Sequence, residues 1–232
     1  MQLRRPDTGF SLYQGEEVED LQCNDLKLIV KRDGFRYGTD SVLLAYYVKA
    51  GAGSKIVELC SGSGVVSVLL AEKTKASTIT GIEIQKPLAE MANRSAALNG
   101  IDHKVRFIHG DVRRVREILS SGAAGTVVAN PPYLKCSSGK VGSDISMEIA
   151  RREICCDLSD ITGAAGWLLH PGGSFYIVYR PDRLVDLFYE MRVSGIEPKE
   201  IRQHGPPGGP PSLVLVCGKK NAVPGLRWLK PL

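Results

Sequence analysis

None of the six cysteines in this 232-residue chain forms a C-x-x-C pair, and its four histidines (His103, His109, His170, His204) do not stand at ligand spacing. Cys23, Cys60, Cys136, Cys155, Cys156 and Cys217 are therefore expected as reduced thiols, and no metal site is expected. No apolar run approaches the roughly 20 residues that cross a bilayer. The opening Met1-Gln2-Leu3-Arg4-Arg5-Pro6-Asp7 lacks the apolar stretch of a secretory signal. The expectation is a cytoplasmic protein with no membrane segment. Aromatics at 6% are too sparse for an extended base-stacking platform. The net charge of +5 permits a phosphate-bearing partner without demanding one. What remains, 43% apolar and 24% charged residues, is the make-up of a globular domain, and the length suffices for one sizeable core.

Apolar runs and chain breakers alternate. A hairpin is expected across 21–32, with Leu26-Lys27-Leu28-Ile29-Val30 as a strand and Asn24-Asp25 as turn residues. Strands are expected at 55–59, 78–84, 105–109, 126–129 and 174–179, and helices at 41–50, 65–75, 87–99, 112–120, 146–169 and 181–193. Two later segments, 198–203 and 212–217, have strand character. Repeated strand–helix units imply a parallel sheet covered on both faces. The expected fold is α/β and Rossmann-like: a mostly parallel seven-stranded sheet, helices on both faces, and a short N-terminal β-hairpin.

The first strand of the series runs into a glycine turn, Glu58-Leu59-Cys60-Ser61-Gly62-Ser63-Gly64. Gly62 and Gly64 let the backbone turn tightly and a ligand come close, and the helix behind the turn offers free N–H groups. The third glycine of G-x-G-x-x-G is absent, replaced by Ser67. Glu83 ends the next strand about 20 residues on, where an acid accepts from both ribose hydroxyls. These features fit a nicotinamide dinucleotide or S-adenosylmethionine. The latter has no pyrophosphate, so the missing glycine matters less, and the Glu58 carboxylate suits a cation better than a diphosphate. Asp111, after Gly110, is placed either to accept from an adenine amino group or to cap the following helix, and the two roles are compatible.

Asn130-Pro131-Pro132-Tyr133 follows the apolar strand at 126–129. Neither proline has an N–H for a sheet ladder, so the tetrapeptide sits at a strand's carboxyl end, where open α/β sheets bind ligands. An amide side chain, donor-free carbonyls and an aromatic face suit a planar amine, either an adenine or a carboxamide.

With these elements in this order, the chain resembles the class I S-adenosylmethionine-dependent methyltransferases that modify exocyclic amines. Gly38-Thr39-Asp40-Ser41-Val42-Leu43-Leu44-Ala45, Ala150-Arg151-Arg152-Glu153 and Tyr179-Arg180-Pro181-Asp182-Arg183-Leu184 narrow the resemblance to the tRNA(Val) adenine-N6 methyltransferase family. Arg152 departs from it, standing where a histidine is expected. The resemblance covers about residues 21 to 220 and implies an N-terminal extension over 1–38 packed on a methyltransferase domain over 39–232. It implies S-adenosyl-L-methionine as cofactor, held by Tyr37, Thr39, Asp40, Glu58, Cys60, Gly62, Gly64, Glu83, Ile84, Asp111, Val112 and Asn130.

It also implies that Asn130, Pro131, Pro132 and Tyr133 form the catalytic motif, with Asn130 and the Pro131 carbonyl accepting hydrogen bonds from the target amine and Tyr133 stacking on the base. The implied substrate is adenine in RNA, tRNA(Val) beside the anticodon first among candidates, and a monomer is expected. A protein glutamine N5-methyltransferase of release factors, an rRNA guanine-N2 methyltransferase and a non-catalytic cofactor-binding RNA module remain as alternatives. Lys135 and Lys140 in the small-residue loop after Tyr133 are candidate phosphate contacts. So are basic clusters at Arg113, Arg114 and Arg116, at Arg151 and Arg152, at Arg180 and Arg183, and at Lys219, Lys220, Arg227 and Lys230.

Overall fold

The computed structural model describes residues 3–4, 11–34, 36–132 and 156–231. Tyr133, the loop with Lys135 and Lys140, the motif at 150–153, Cys136 and Cys155 lie outside the described residues. Two short strands, β1 (Leu3–Arg4) and β2 (Ser11–Leu12), pair with each other ahead of a hairpin, β3 (Glu16–Asp20) and β4 (Lys27–Lys31). The main sheet contains β5 (Lys55–Leu59), β6 (Thr78–Glu83), β7 (Val105–His109), β8 (Ala124–Ala129), β9 (Leu169–Tyr179), β10 (Ile196–His204), β11 (Leu213–Lys220) and a two-residue edge strand, β12 (Arg227–Trp228). The helices are α1 (Thr39–Tyr47), α2 (Val65–Lys73), α3 (Lys86–Leu98), α4 (Val115–Ile118), α5 (Leu158–Leu168) and α6 (Leu184–Val193).

The order across the sheet is β12-β10-β11-β9-β8-β5-β6-β7. Its seven longer strands match the expected number, and β12 adds a short parallel edge beside β10. Only β11 runs against its neighbours β9 and β10. The chain builds outward from β5 to β6 and β7, then returns to place β8 on the other side of β5. That reversal leaves a crevice beyond the carboxyl ends of β5 and β8, which is where doubly wound sheets hold ligands.

Strand residues alternate between two cores, so both faces of the sheet must be covered. Ile56, Ile79, Val105 and Val128 pack with Leu44, Val68 and Ala92 from α1–α3. Val57, Ile82, Val127 and Phe175 pack with Ile161, Ala165, Leu187 and Met191 from α5 and α6. Among the described residues no helix is long and apolar enough to cross a membrane.

Several elements depart from the sequence expectation. The helix expected over 112–120 is a 3₁₀ turn, Val112–Arg114, followed by the short α4, and the one expected over 181–193 opens with a 3₁₀ turn, Pro181–Arg183, ahead of α6. The hairpin expected across 21–32 starts earlier: its first strand is Glu16–Asp20, and 21–26 is the connection. Four of its five residues are acidic; Glu17 and Glu19 pair with Arg36, and buried Glu16 with Arg94. Acidic composition hides a strand whose partners lie elsewhere in the chain. The strand expected at 174–179 begins at Leu169, because a bulge between the Leu169–Ala124 and Ser174–Thr126 pairs absorbs Pro171-Gly172-Gly173. The helix expected to end at Leu169 gives way to that strand after Leu168.

The hairpin is tied to the core through its free edge. Ser95 Oγ accepts from the Ile29 N–H at 2.9 Å. The Asn99 amide exchanges two bonds with the Lys27 backbone, at 2.8 and 2.7 Å. Side chains of α3 thus stand in for a neighbouring strand and satisfy backbone groups that an edge would leave unpaired. This docking carries the segment after β4, with Arg36 and Tyr37, over the crevice.

Candidate active site

A cavity of about 450 Å³ opens at the switch point. The glycine turn after β5 forms its floor, Glu83 to Gln85 and Gly110 to Val112 one side, and Asn130-Pro131-Pro132 the other. Arg36, Tyr37, Asp40 and Ser41 come from the approach to α1, while Cys156 and Arg180 complete the wall.

The two glycines of the turn do different work. Gly62 lies in the cavity wall at φ +53°, and a Cβ built there would meet nothing within 4 Å, so a ligand can approach its backbone. Gly64, at φ +85°, does not line the cavity. A Cβ there would come within 2.5 Å of the Phe107 ring and 3.0 Å of Ala92, so its smallness seats α2 against β7 and α3. Cys60 is also left-handed, at φ +57°, a conformation that side chains adopt at a cost.

Glu58 is 1% exposed and accepts from the Ser67 N–H at 3.0 Å and from the Ser67 hydroxyl. It therefore satisfies a first-turn N–H of α2 that the helix itself leaves without a partner. Burial pushes its pKa up from 4.5 to about 8, against the pull of the Ser67 bonds, and Glu83 adds to the rise. From about pH 5 to 8 the unfolded chain has released this proton and the folded protein keeps it. Stability therefore falls as pH rises across that window, by about 1.4 kcal/mol per pH unit for one such group. Urea unfolding of the cofactor-free protein is expected to show this slope, and Glu58→Gln to make it shallower by about one proton's worth. Equal slopes in the two proteins would mean that Glu58 is ionised throughout.

Glu83, 5% exposed, accepts from the Gly62 N–H at 2.8 Å and from the Gln85 N–H at 2.9 Å. It locks the glycine turn to the turn after β6, and burial raises its pKa despite those bonds. Asp111 takes the capping role: its Oδ1 accepts from the Arg113 N–H at 2.9 Å, and the Arg113 guanidinium binds both carboxylate oxygens. That pairing holds its pKa below the ordinary aspartate range.

On the opposite wall, Asn130 Nδ2 donates to Ser41 Oγ at 2.8 Å. Tyr37 donates from its hydroxyl to Glu19 on the hairpin at 3.0 Å; burial and that carboxylate push its pKa up to about 12. Asp40 Oδ1 accepts from the Ser41 N–H at the start of α1.

Tyr37, Asp40, Glu58, Cys60, Gly62, Glu83, Ile84, Asp111, Val112, Asn130, Pro131 and Pro132 are brought together around one cavity. Thr39 and Gly64 are not part of its lining. Sequence reasoning assigned no role to Ser41, Ser61, Gln85, Arg36 or Cys156, all of which line it. Ser41 had been visible only as part of a motif. Cys156 Sγ lies 3.9 Å from Cys60 Sγ, and this contact, with burial, holds the Cys60 thiol well above its usual range. The described basic clusters are largely tied up with neighbours. Arg113, Arg114, Arg180, Arg183 and Arg227 each pair with a nearby carboxylate, and Arg116 lies over the Trp167 ring.

Several features of the cavity fit S-adenosylmethionine. Ser61 is 4% exposed, lines the cavity, and its Oγ has no hydrogen-bond partner among the described residues. The charge expected of the Glu58 carboxylate is not there at neutral pH, because burial keeps the group protonated up to about pH 8. Glu83 is the acid that, when ionised, would repel a diphosphate and complement a ribose diol. The backbone at Gly62 is open to a ligand. Among the described residues no group of three or more acidic, histidine or cysteine side chains could hold a metal ion.

The sheet order, the glycine turn with its acid, and the cavity define the Rossmann-like methyltransferase fold, whose cofactor is S-adenosylmethionine. The model of the methyltransferase small domain family matches residues 32–186, and the chain belongs to that family. It is 29% identical over 158 residues to a tRNA1(Val) (adenine(37)-N6)-methyltransferase of Porphyromonas gingivalis, covering 66% of this chain and 61% of that protein. A protein of the same name from Bacteroides fragilis is 27% identical over 187 residues, covering 78% and 76%. The chain thus spans about three-fifths of the length of the first of these relatives. Among solved structures, a predicted O-methyltransferase of Agrobacterium tumefaciens superposes with a TM-score of 0.67 at 24% identity, over 83% of this chain and 86% of the other. A geranyl diphosphate C-methyltransferase of Streptomyces coelicolor, solved with S-adenosyl-L-homocysteine, superposes at 0.57 and 14% identity, over 78% and 80%.

Proposed function

We propose that this protein methylates the exocyclic N6 amine of an adenine in RNA, with an anticodon-loop adenine of tRNA(Val) as the first candidate. The observation that carries the reading is the shared cavity: Asn130-Pro131-Pro132 at the end of β8 faces the same space as the glycine turn and Glu83. The names of the relatives support the choice of adenine and of tRNA.

When bound, S-adenosylmethionine supplies an activated methyl group. Glu83 would accept from the ribose hydroxyls, and Glu58, buried and protonated up to about pH 8, braces the first turn of α2 behind the glycine turn through Ser67. Asn130 Oδ1 and the Pro131 carbonyl accept the two N–H groups of the target amine. An aromatic amine is a poor nucleophile because its lone pair is delocalised into the ring. Two acceptors on its N–H groups favour a pyramidal nitrogen and aim that lone pair into the cavity. This is catalysis by position and electrostatics, with no strong base required. The base must leave its stack to enter, which costs least in an unpaired loop of RNA, and such a substrate supports a cytoplasmic location.

The test is incubation with methyl-labelled cofactor and total tRNA, followed by digestion to nucleosides. Label in N6-methyladenosine is the expected result. Label in methylguanosine, or transfer only to a release-factor glutamine peptide, would replace this reading with one of its rivals. Cofactor binding without transfer to any acceptor would leave a non-catalytic module.

A further inference from the structure

The acceptor half of the cavity is held by the helix that precedes the glycine turn. Asn130 and Ser41 are 89 positions apart in sequence, yet the Asn130 amide nitrogen donates to the Ser41 hydroxyl oxygen at 2.8 Å. Ser41 is 5% exposed, and its backbone N–H donates to Gly38 O at 3.2 Å and to Asp40 Oδ1 at 2.8 Å. The hydroxyl therefore projects from a fixed piece of backbone, in the first full turn of α1.

A primary amide has a donor end and an acceptor end, and its terminal torsion is broad and roughly two-fold. For a target that presents N–H groups the two orientations are not equivalent. With oxygen forward, the side chain accepts from the amine. With nitrogen forward, donor faces donor and the acceptor is lost. We propose that Ser41 is a positioning residue that anchors the nitrogen end of Asn130, so that Oδ1 is the end presented to the target amine. The inference rests on the reading of Asn130 as the residue that holds that amine. It also accounts for why α1 carries a buried serine where packing alone would favour an apolar residue. The same helix start supplies Asp40 to the cavity wall.

Ser41→Ala is expected to slow single-turnover methyl transfer by about 10- to 100-fold, the scale of a small misplacement in a reacting site. Affinity for S-adenosylhomocysteine and the melting temperature should stay close to those of the wild type. Ser41→Thr, which keeps the hydroxyl, should recover most of the rate. The Ser41→Ala/Asn130→Ala double variant should be no slower than Asn130→Ala, since Ser41 acts through Asn130.

A readout independent of turnover is the Asn130 side-chain NH₂ pair in an ¹⁵N spectrum, identified by its loss in Asn130→Ala. Its protons should exchange slowly with solvent in the wild type and quickly in Ser41→Ala. Fast exchange in the wild type, an unchanged rate in Ser41→Ala, or a double variant slower than Asn130→Ala by the full Ser41→Ala factor would each overturn the proposal. Should the wild type methylate a glutamine peptide instead of RNA, the RNA reading fails and the same ratios on that acceptor decide the role of Ser41. Should it methylate nothing, the exchange measurement decides it alone.

Discussion

Asn130→Ala is expected to lower the rate of methyl transfer by about 10²–10³-fold, the cost of removing one preorganised group that acts on developing charge in a closed site. Cofactor affinity should change by no more than about threefold, because uniform binding and transition-state binding are separable losses. The asymmetry follows from position. Asn130 follows β8 on the wall opposite Glu83, and its amide nitrogen donates to Ser41 at the start of α1. Removing the side chain takes an acceptor from the target amine and leaves the floor of the cavity intact. Calorimetry with S-adenosylhomocysteine and single-turnover transfer from labelled cofactor would measure the two quantities separately. A loss of affinity as large as the loss of rate would mean that Asn130 serves the cofactor and has been assigned to the wrong half of the cavity.

What could be read from the chain beforehand was whatever is local in sequence. The strand, glycine turn and helix at 55–75 are consecutive, and so are the strand and the proline pair that ends it; each carries its own signal. The mostly parallel sheet with helices on both faces followed because strand–helix repeats allow few other arrangements. What was hidden depended on pairing across the fold. Glu16–Asp20 looks like a solvated acidic run until Arg36 and Arg94 are placed beside it. The Pro171-Gly172-Gly173 segment reads as a break, yet a bulge carries the strand through it.

Ser41 looked like an ordinary helix-start residue because its partner is distant in sequence. Gly64 read as a ligand glycine, and only the position of Phe107 shows that it serves packing. The basic clusters misled in the opposite direction. A linear reading counts their charges, whereas folding sets a carboxylate next to Arg113, Arg114, Arg180, Arg183 and Arg227, and exposed pairs of this kind contribute little to stability or to long-range attraction. An RNA-binding face, if drawn from those arginines alone, would be drawn too strongly.

Glu83→Ala should have the complementary effect to Asn130→Ala, abolishing useful cofactor binding. A buried carboxylate that accepts from two ribose hydroxyls makes two charge-assisted bonds of roughly 1.5–3 kcal/mol each, so affinity should fall by about 10²-fold or more. The side chain also holds the Gly62 and Gln85 N–H groups, and its removal loosens the turn as well as the ribose contact. The two contributions can be separated with the ligand. If Glu83 reads the ribose, the wild type should bind adenosine about tenfold more tightly than 2′-deoxyadenosine, the value of one lost hydrogen bond, and Glu83→Ala should not distinguish them. If Glu83 only braces the turn, both proteins would discriminate alike, and its assignment to the cofactor would be wrong. The raised pKa of Glu83 adds a sign to the test: the ionised form is the better acceptor, so wild-type affinity for adenosine should improve as pH rises, and that trend should vanish with the carboxylate.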